Sequence, residues 1–592
     1  MPPWIAREHG KGRDNLADPS RLSSSLTSQC PYASQRRSLF EASIDVAIVH
    51  TPRTCRRASR PDASRADGVD CADRLCLRVG TAVIAKGTQD LHFDMAEISE
   101  WSQELDWGYA KHPPFAPWLV RAWFTVVPFT DGTYYLLASI AATVGLWFAW
   151  KVAGLYLDPQ KRVLGLVMLM LVPFYNFHAL KFNANTVLTP LWAATTWWFL
   201  KSLETRAMSY ALLAGLAAGM AILGKYWSGV LIIALFFAAF SYPHRKEYFS
   251  SWAPWVTGTV GTLAFLPHLA WLVTHDFSTL AYAKASRMAL TYGSALQSAF
   301  WYLPKVAAYV AAPVLMLFAA TRPSMISVAD TVWPKDGTRR ALLIAFAVPH
   351  LLPVLIALAA KSEVSALWAI PAMTLLPVVL LSSPQLAVTR LVLDRIVLLA
   401  MVFPLAMLPL SPLIAFYILK SGSAGSQAHY RMLAADIEKH WNATIGKPLR
   451  FVGGDPQLAY GVAAYLSDQP LPYVYDRVTP TIERSEVDKH GIVLLCVETH
   501  ATDCREDLKS FETDGRANEE TQIWTISLAR RFGGFTGPPK GYYIVSIPPR
   551  STRERCDSWT SALGQKQTFA PQNVMSALPV LSENSIRPRF AS

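Results

Sequence analysis

Between Asp94 and Arg121 the chain reads DMAEISEWSQELDWGYAKHPPFAPWLVR, and this stretch gathers the side chains best suited to chemistry. Asp94 and Glu97 lie three residues apart, so on a helix they share one face. A solvated helix start would look the same. Lys111 and His112 stand directly before Pro113 and Pro114. Two prolines hold an extended backbone, which fixes that basic pair in place. Further polar groups follow at Lys181, Asn183 and Asn185, then at Lys225 and Tyr226. Lys284, Arg287, Lys361 and Glu363 complete the set. Cations of this kind hold a phosphate, with arginine as a bidentate fork. A carboxylate can take a proton from an acceptor hydroxyl. A site with both signs suits a reaction on a charged, lipid-borne substrate. Each group also has a plainer reading. Lys181 and Lys225 fit residues that snorkel at span ends, and Lys361 and Glu363 fit an ordinary exposed pair. The tryptophans at 101, 107, 118 and 123 fit interfacial anchors better than sugar-stacking platforms.

The elements that must position these groups are membrane spans. The chain is 52% hydrophobic and only 17% charged, which suits a polytopic membrane protein, where apolar spans dilute the charges. Its +12 net charge reads as cytoplasmic loop charge plus a basic N-terminal tail, not as a nucleic-acid surface, because no basic helix or RNA-type motif is present. Spans of about 20 mostly apolar residues are expected near 133–154, 163–180, 186–200, 209–223, 226–241, 252–274, 302–320, 341–360, 364–382 and 395–419. The 209–241 pair could be one long helix with a break at Gly224. Residues 113–129 are too interrupted by proline to span and read as an amphipathic segment on the interface. Lys161, Arg162, Lys201, Arg206, Arg245, Lys246, Arg339 and Arg340 fall in alternate loops, which the positive-inside rule makes cytoplasmic. The other loops, with every candidate site residue, then face outward.

The flanks differ from this core. Residues 1–89 read as a disordered or spurious N-terminal extension, and 90–420 as the membrane domain with about ten spans. Residues 421–550 alternate β-like runs with a helical stretch, PQLAYGVAAYL, which predicts a small α/β domain outside the membrane. GGDP at 453–456 reads as a turn, with an anion site at the following helix as the weaker reading. Residues 551–592 read as a disordered tail. Of the seven cysteines, Cys496 and Cys504 share the outer domain, where a disulfide and two free thiols are equally open readings.

The run from Asp94 to Trp118, with its acids, then L-D-W-G-Y, then K-H-P-P, resembles the first outer loop of bacterial membrane glycosyltransferases of families 39 and 83. These are relatives of the protein O-mannosyltransferases and the aminoarabinose lipid A transferases. The resemblance continues through KFNANTVLTPLW at 181–192, GLAAGMAILGKY at 215–226 and SALWAIPA at 365–372, and covers roughly residues 90–470. It implies a mainly α, GT-C-like bundle with a small C-terminal α/β domain, in the inner membrane, with its site facing the periplasm. It also implies a polyprenyl-phosphate sugar donor and a lipid or glycan acceptor such as lipopolysaccharide or lipid A. By the same resemblance, the role of base or acceptor-positioning acid falls on Asp94, with Glu97 second. The donor-phosphate role falls on Lys111 or His112, with Lys225 and Arg287 as further cations. Lys181, Asn183, Asn185, Tyr226 and Glu363 are the expected substrate contacts. No cofactor and no metal cluster is read, although Asp94 and Glu97 could share a divalent cation.

Three features depart from the family pattern. Asp94 and Glu97 are not adjacent, Asn185 stands where an aspartate is common, and residues 74–92 are too polar and short for the span that usually precedes the acids. A transporter or flippase is the second-ranked class. Transporters place ionisable groups near the bilayer midplane at broken helices of internal repeats, whereas the spans here carry few charges and no evident repeat. A non-catalytic envelope scaffold ranks third.

Overall fold

The computed structural model describes residues 75–109, 111–289, 291–422, 428–474, 484–500 and 521–549, with single positions at 502, 505, 506 and 509. The expected disorder at 1–74 and 551–592, and Cys504, lie outside these residues.

A bundle of apolar helices occupies residues 131–421, and a small α/β domain follows it. Among the described residues, five helices are long and apolar enough to cross a membrane: Asp131–Tyr156, Ala253–Thr274, Tyr292–Thr321, Gly337–Ala359 and Arg390–Ser421. Shorter apolar helices accompany them, among them Leu75–Ala85 and Met208–Gly224. The starts follow local chemistry. Thr130 and Thr133 form a reciprocal capping box at the head of Asp131–Tyr156. Asp336 and Thr389 cap Gly337–Ala359 and Arg390–Ser421.

The bundle departs from ten regular spans where prolines intervene. The expected 163–180 span is instead Pro159–Leu171 followed by Pro173–Leu180, bent by 79°. Pro173 lacks an N–H and pushes Val172 to an extended backbone. The expected 364–382 span is a 3-10 segment, Ala366–Leu375, interrupted by Pro371 and continued by Leu376–Leu381. The 209–241 pair does break after Gly224, at Lys225. Helices Met208–Gly224 and Ala253–Thr274 cross closely at glycine. A Cβ at Gly215 would lie 2.5 Å from the Thr257 carbonyl oxygen, and one at Gly219 would lie 2.9 Å from that of Gly261. This small-xxx-small spacing lets backbones approach where lipid supplies little hydrophobic drive.

Residues 75–89 are more ordered than a disordered extension would be. Leu75–Ala85 is helical, Ala82 is buried, and the Thr88 hydroxyl donates to Ala415 O at 2.9 Å in the last long helix. The interfacial segment forms the helix Phe115–Val126, which buries Ala116, Pro117 and Val120.

In the C-terminal domain the strands are β1 (Phe451–Gly454), β2 (Leu471–Tyr473), β3 (Ile492–Val497), β4 (Gln522–Leu528) and β7 (Lys540–Ile547). They form one sheet in the order β2-β1-β3-β7-β4. β1 runs parallel to β2 and β3, and β7 runs antiparallel to β3 and β4. Val452, Val493, Leu495 and Ile544 face helices Tyr430–Thr444 and Pro456–Ala463, while Leu494, Cys496 and Val545 line the opposite face, as a period of two requires. β5 (Arg531–Phe532) and β6 (Phe535–Thr536) form a minute hairpin around Gly533-Gly534, both at positive φ. At GGDP the Asp455 side chain itself accepts from the N–H groups of Gln457 and Leu458, so the helix start is already capped. Cys496 is disulfide-bonded.

Candidate functional site

The helix Phe93–Trp101 carries both acids. His92 caps it, with Nδ1 accepting from the Asp94 N–H at 3.1 Å. Asp94 Oδ2 pairs with Lys181 Nζ at 3.0 Å and accepts from Asn183 Nδ2 at 2.9 Å. The loop carrying these partners is locked from within. Asn183 Oδ1 accepts from the N–H groups of Asn185 and Thr186, which leaves Nδ2 to face Asp94. Burial pushes the Asp94 carboxyl up. Lys181, His92 and the Asn183 amide outweigh it and hold the group well below the usual carboxylate range. About a third of its side chain, 35%, remains exposed.

Glu97, one turn on, points to a different partner. Lys111 Nζ meets Glu97 Oε1 at 2.6 Å, and the two side chains are only 14% and 7% exposed. Burial opposes the charge on Lys111, yet Glu97 raises it above an ordinary lysine. The two carboxylates are thus neutralised by two separate lysines. Among the described residues, no group of three His, Cys, Asp or Glu side chains converges on a metal position.

A second pair of cations has no such acid. Lys225 follows the end of Met208–Gly224 in extended backbone, and its Nζ donates to Asn185 Oδ1 at 2.6 Å. The neutral amide at Asn185 holds the ammonium without cancelling its charge. Arg287 is set by a short antiparallel pairing, in which Glu363 N–H donates to Arg287 O at 2.9 Å and Ala289 N–H to Lys361 O at 3.0 Å. Both cations sit over the Trp368 ring, Lys225 Nζ at 5.4 Å and Arg287 Cζ at 5.1 Å. Trp227 fixes that ring, its Nε1 donating to Trp368 O at 3.2 Å. Among the described residues neither cation has a carboxylate partner. Burial, then Arg287, brings Lys225 down to about 7.

His112 is half-buried, its ring edge-on to Trp101 with centroids 6.0 Å apart. Burial lowers it to about 3, with Lys225, Lys111 and Arg287 adding to the effect and Asp94 opposing it. At that value it is neutral near pH 7. His92 is likewise neutral, lowered to about 4 first by burial.

The structure thus brings Asp94, Lys181 and Asn183 together, Glu97 with Lys111, and Asn185 with Lys225 and Arg287. Tyr226 turns another way. Its hydroxyl contacts His268 Nε2 at 2.6 Å and Thr279 Oγ1 at 3.0 Å, which ties the helix break to Ala253–Thr274. Glu363 is exposed and meets Arg287 through its backbone. Lys284 is also exposed. Sequence reasoning missed His92, Trp368, Tyr282 and Tyr460. Trp368 lies within a segment that the sequence did single out, but Tyr460 carries no local signal.

The fold and these groups define a GT-C-like membrane protein with a polar site at the mouth of the bundle. ArnT of Cupriavidus metallidurans shares the fold. Its apo structure superposes with a TM-score of 0.54 at 12% identity, covering 81% of this chain and 98% of that one. Its structure bound to undecaprenyl phosphate gives 0.53 at 13%, with the same coverage. Residues 111–271 match the family described as dolichyl-phosphate-mannose-protein mannosyltransferase. The lipopolysaccharide core galacturonosyltransferase RgtB of Rhizobium johnstonii is 30% identical over 210 residues, which is 34% of this chain and 41% of that protein. RgtA of the same organism, described in the same words, is 24% identical over 313 residues, 50% of this chain and 60% of its own. The chain therefore matches less than two thirds of the length of these relatives. Together the matches bear out the resemblance to membrane glycosyltransferases of the family 39 and 83 type.

Proposed function

We propose that the protein transfers a sugar from a polyprenyl-phosphate donor to an envelope acceptor, such as lipopolysaccharide or lipid A, on the outer face of the inner membrane. The observation that carries this reading is Lys225 and Arg287 over the one Trp368 ring, two cations with no carboxylate ion pair among the described residues. Two cations over one ring attract an anion, and a lipid-linked phosphate supplies one. The names of the Rhizobium relatives make a hexuronic acid the first sugar to test. The disulfide at Cys496 suits an oxidising compartment and so a periplasmic C-terminal domain.

In this reading Lys225, Arg287 and Lys111 hold the donor phosphate, and His112 donates a hydrogen bond to it. The acceptor oxygen attacks the anomeric carbon from the side opposite the phosphate, which inverts that centre. The C–O bond to the phosphate breaks, and its electron pair leaves on a phosphate that the cations already neutralise. Asp94 is a weak base while Lys181 and Asn183 hold it. It orients the acceptor hydroxyl first and takes the proton late, once bond formation has made that hydroxyl acidic.

The test is radiolabelled sugar transfer in membranes containing the chain, with polyprenyl-phosphate sugars supplied. Donor-dependent transfer that Asp94→Asn removes, with donor binding retained, is the expected result. Undiminished transfer by Asp94→Asn removes that residue from the chemistry. No transfer with any donor by a well-inserted protein overturns the enzyme reading.

A further inference from the structure

The C-terminal domain does more than sit beside the site. Asp90, two residues before the cap of the acid-bearing helix, is buried and pairs with Arg530. Its Oδ2 also accepts from the Arg431 N–H at 3.2 Å. Arg431 Nη2 reaches Asp131 Oδ2 at 2.6 Å, at the head of the first long helix. The Tyr465 hydroxyl donates to Asp131 Oδ1 at 2.9 Å and accepts from the Leu91 N–H at 2.9 Å. Three side chains of the domain thus clasp residues 90–91 and the start of a long helix. Beyond the clasp, Tyr460 from helix Pro456–Ala463 reaches the acid helix itself. Its ring lies edge-on to Phe93 at 5.9 Å and to Trp101 at 6.4 Å. The Lys111 ammonium lies 5.4 Å from the Phe93 ring, 5.7 Å from Tyr282 and 5.8 Å from Tyr460.

We infer that Tyr460 is a positioning residue of the site: it forms the C-terminal domain's wall of a three-ring cage that holds the Lys111 ammonium against Glu97. Each ring comes from a different part of the chain: the acid helix, the short helix Ser278–Ala285 and the C-terminal domain. The ring faces attract the ammonium without adding a second negative charge to that of Glu97, so they fix where the Glu97–Lys111 pair sits. The domain is therefore a component of the donor-phosphate site, and its docking sets where Lys111 points. This inference rests on the reading of Lys111 as a donor-phosphate contact.

The test uses the full chain in detergent, with binding of a polyprenyl phosphate and the donor dependence of sugar transfer as readouts. Tyr460→Phe keeps the ring face and should retain more donor affinity than a variant without a ring. Tyr460→Leu keeps apolar volume but no ring, and should raise the donor KM about five- to thirtyfold with little change in kcat. In a Lys111→Gln background the same leucine change should add nothing further. If Tyr460→Leu does not fold, Tyr460→Met makes the same comparison. Equal donor KM in the leucine and parent proteins overturns the inference while leaving the glycosyltransferase reading intact. So does a loss as large in Tyr460→Phe as in Tyr460→Leu, or one that persists in full without Lys111. Failure of the parent protein to bind any polyprenyl phosphate overturns both.

Discussion

Lys225 makes the site's affinity for an anion depend on pH. Burial beside Arg287 brings this ammonium down to about 7, so near neutrality it is close to half protonated before any ligand arrives. A phosphodiester placed between Lys225 and Arg287 favours the charged form and raises the value in the complex. Binding is then strongest below pH 7, where the proton is already present, and weakens as pH rises towards the raised value. In that window the linkage slope approaches tenfold per pH unit, so affinity should fall about fifteenfold between pH 7 and 8.5. His112 and His92 are lowered to about 3 and about 4, and Lys111 is raised, so these three titrate outside the window. A polyprenyl-phosphate sugar is a diester and does not titrate there either. The assay is equilibrium binding of that donor to purified protein across this range. Lys225→Arg should flatten the profile, because a guanidinium stays charged throughout. A flat profile in the parent protein, or an equal slope in Lys225→Arg, would refute the reasoning.

Two further predictions concern the scaffold of the site. Glu97→Gln leaves the Lys111 ammonium buried without its carboxylate and should cost about 3–5 kcal/mol of stability, read as a lowered melting temperature in detergent. Adding Lys111→Met should recover part of that loss, and an unchanged melting temperature for Glu97→Gln would contradict a buried pair. Gly108→Ala should destabilise by about 1–3 kcal/mol, since the new Cβ would lie 2.4 Å from the Trp271 ring, whose Nε1 donates to Asp106 Oδ2 at 2.8 Å. A fall in transfer should accompany it, because the displaced loop leads into Lys111, and full activity with normal melting would show that the ring has room to move.

The acid helix, the apolar spans and the main strands were legible because each is written in local pattern: the Asp94–Glu97 spacing, long apolar runs, and short alternating runs between turns. The bends at Pro173 and Pro371 were equally visible as residues, but hydropathy windows average over them and report one span. The helix Tyr430–Thr444 repeats buried residues at Tyr430, Leu433, Ala434, Ile437 and Trp441, a helical spacing that could have been read and was not. The pairing within the site was not legible in principle. Asn183 meets Asp94 across 89 residues, and nothing near either residue says that Lys181 takes Asp94 while Lys111 takes Glu97. Nor does sequence reveal that its surroundings lower His112. Asn185 shows the reverse case. Its type was read as a departure from a family pattern, and the contact with Lys225 explains what an uncharged residue there achieves.

The clasp on Asp90 also governs when the protein can first work. Its two ends are 440 residues apart, so Asp90 is made well before Arg530. At ribosomal speeds of about 5–20 residues per second, the acid-bearing segment waits roughly 20–90 s for its partner. Until then the helices can enter the bilayer while Asp90 stays solvated and the cage around Lys111 lacks its third wall. A nascent chain not yet grown to Arg530 would thus occupy the membrane without a finished site, and competence would come only when the C-terminal domain docks onto the segment at Asp90.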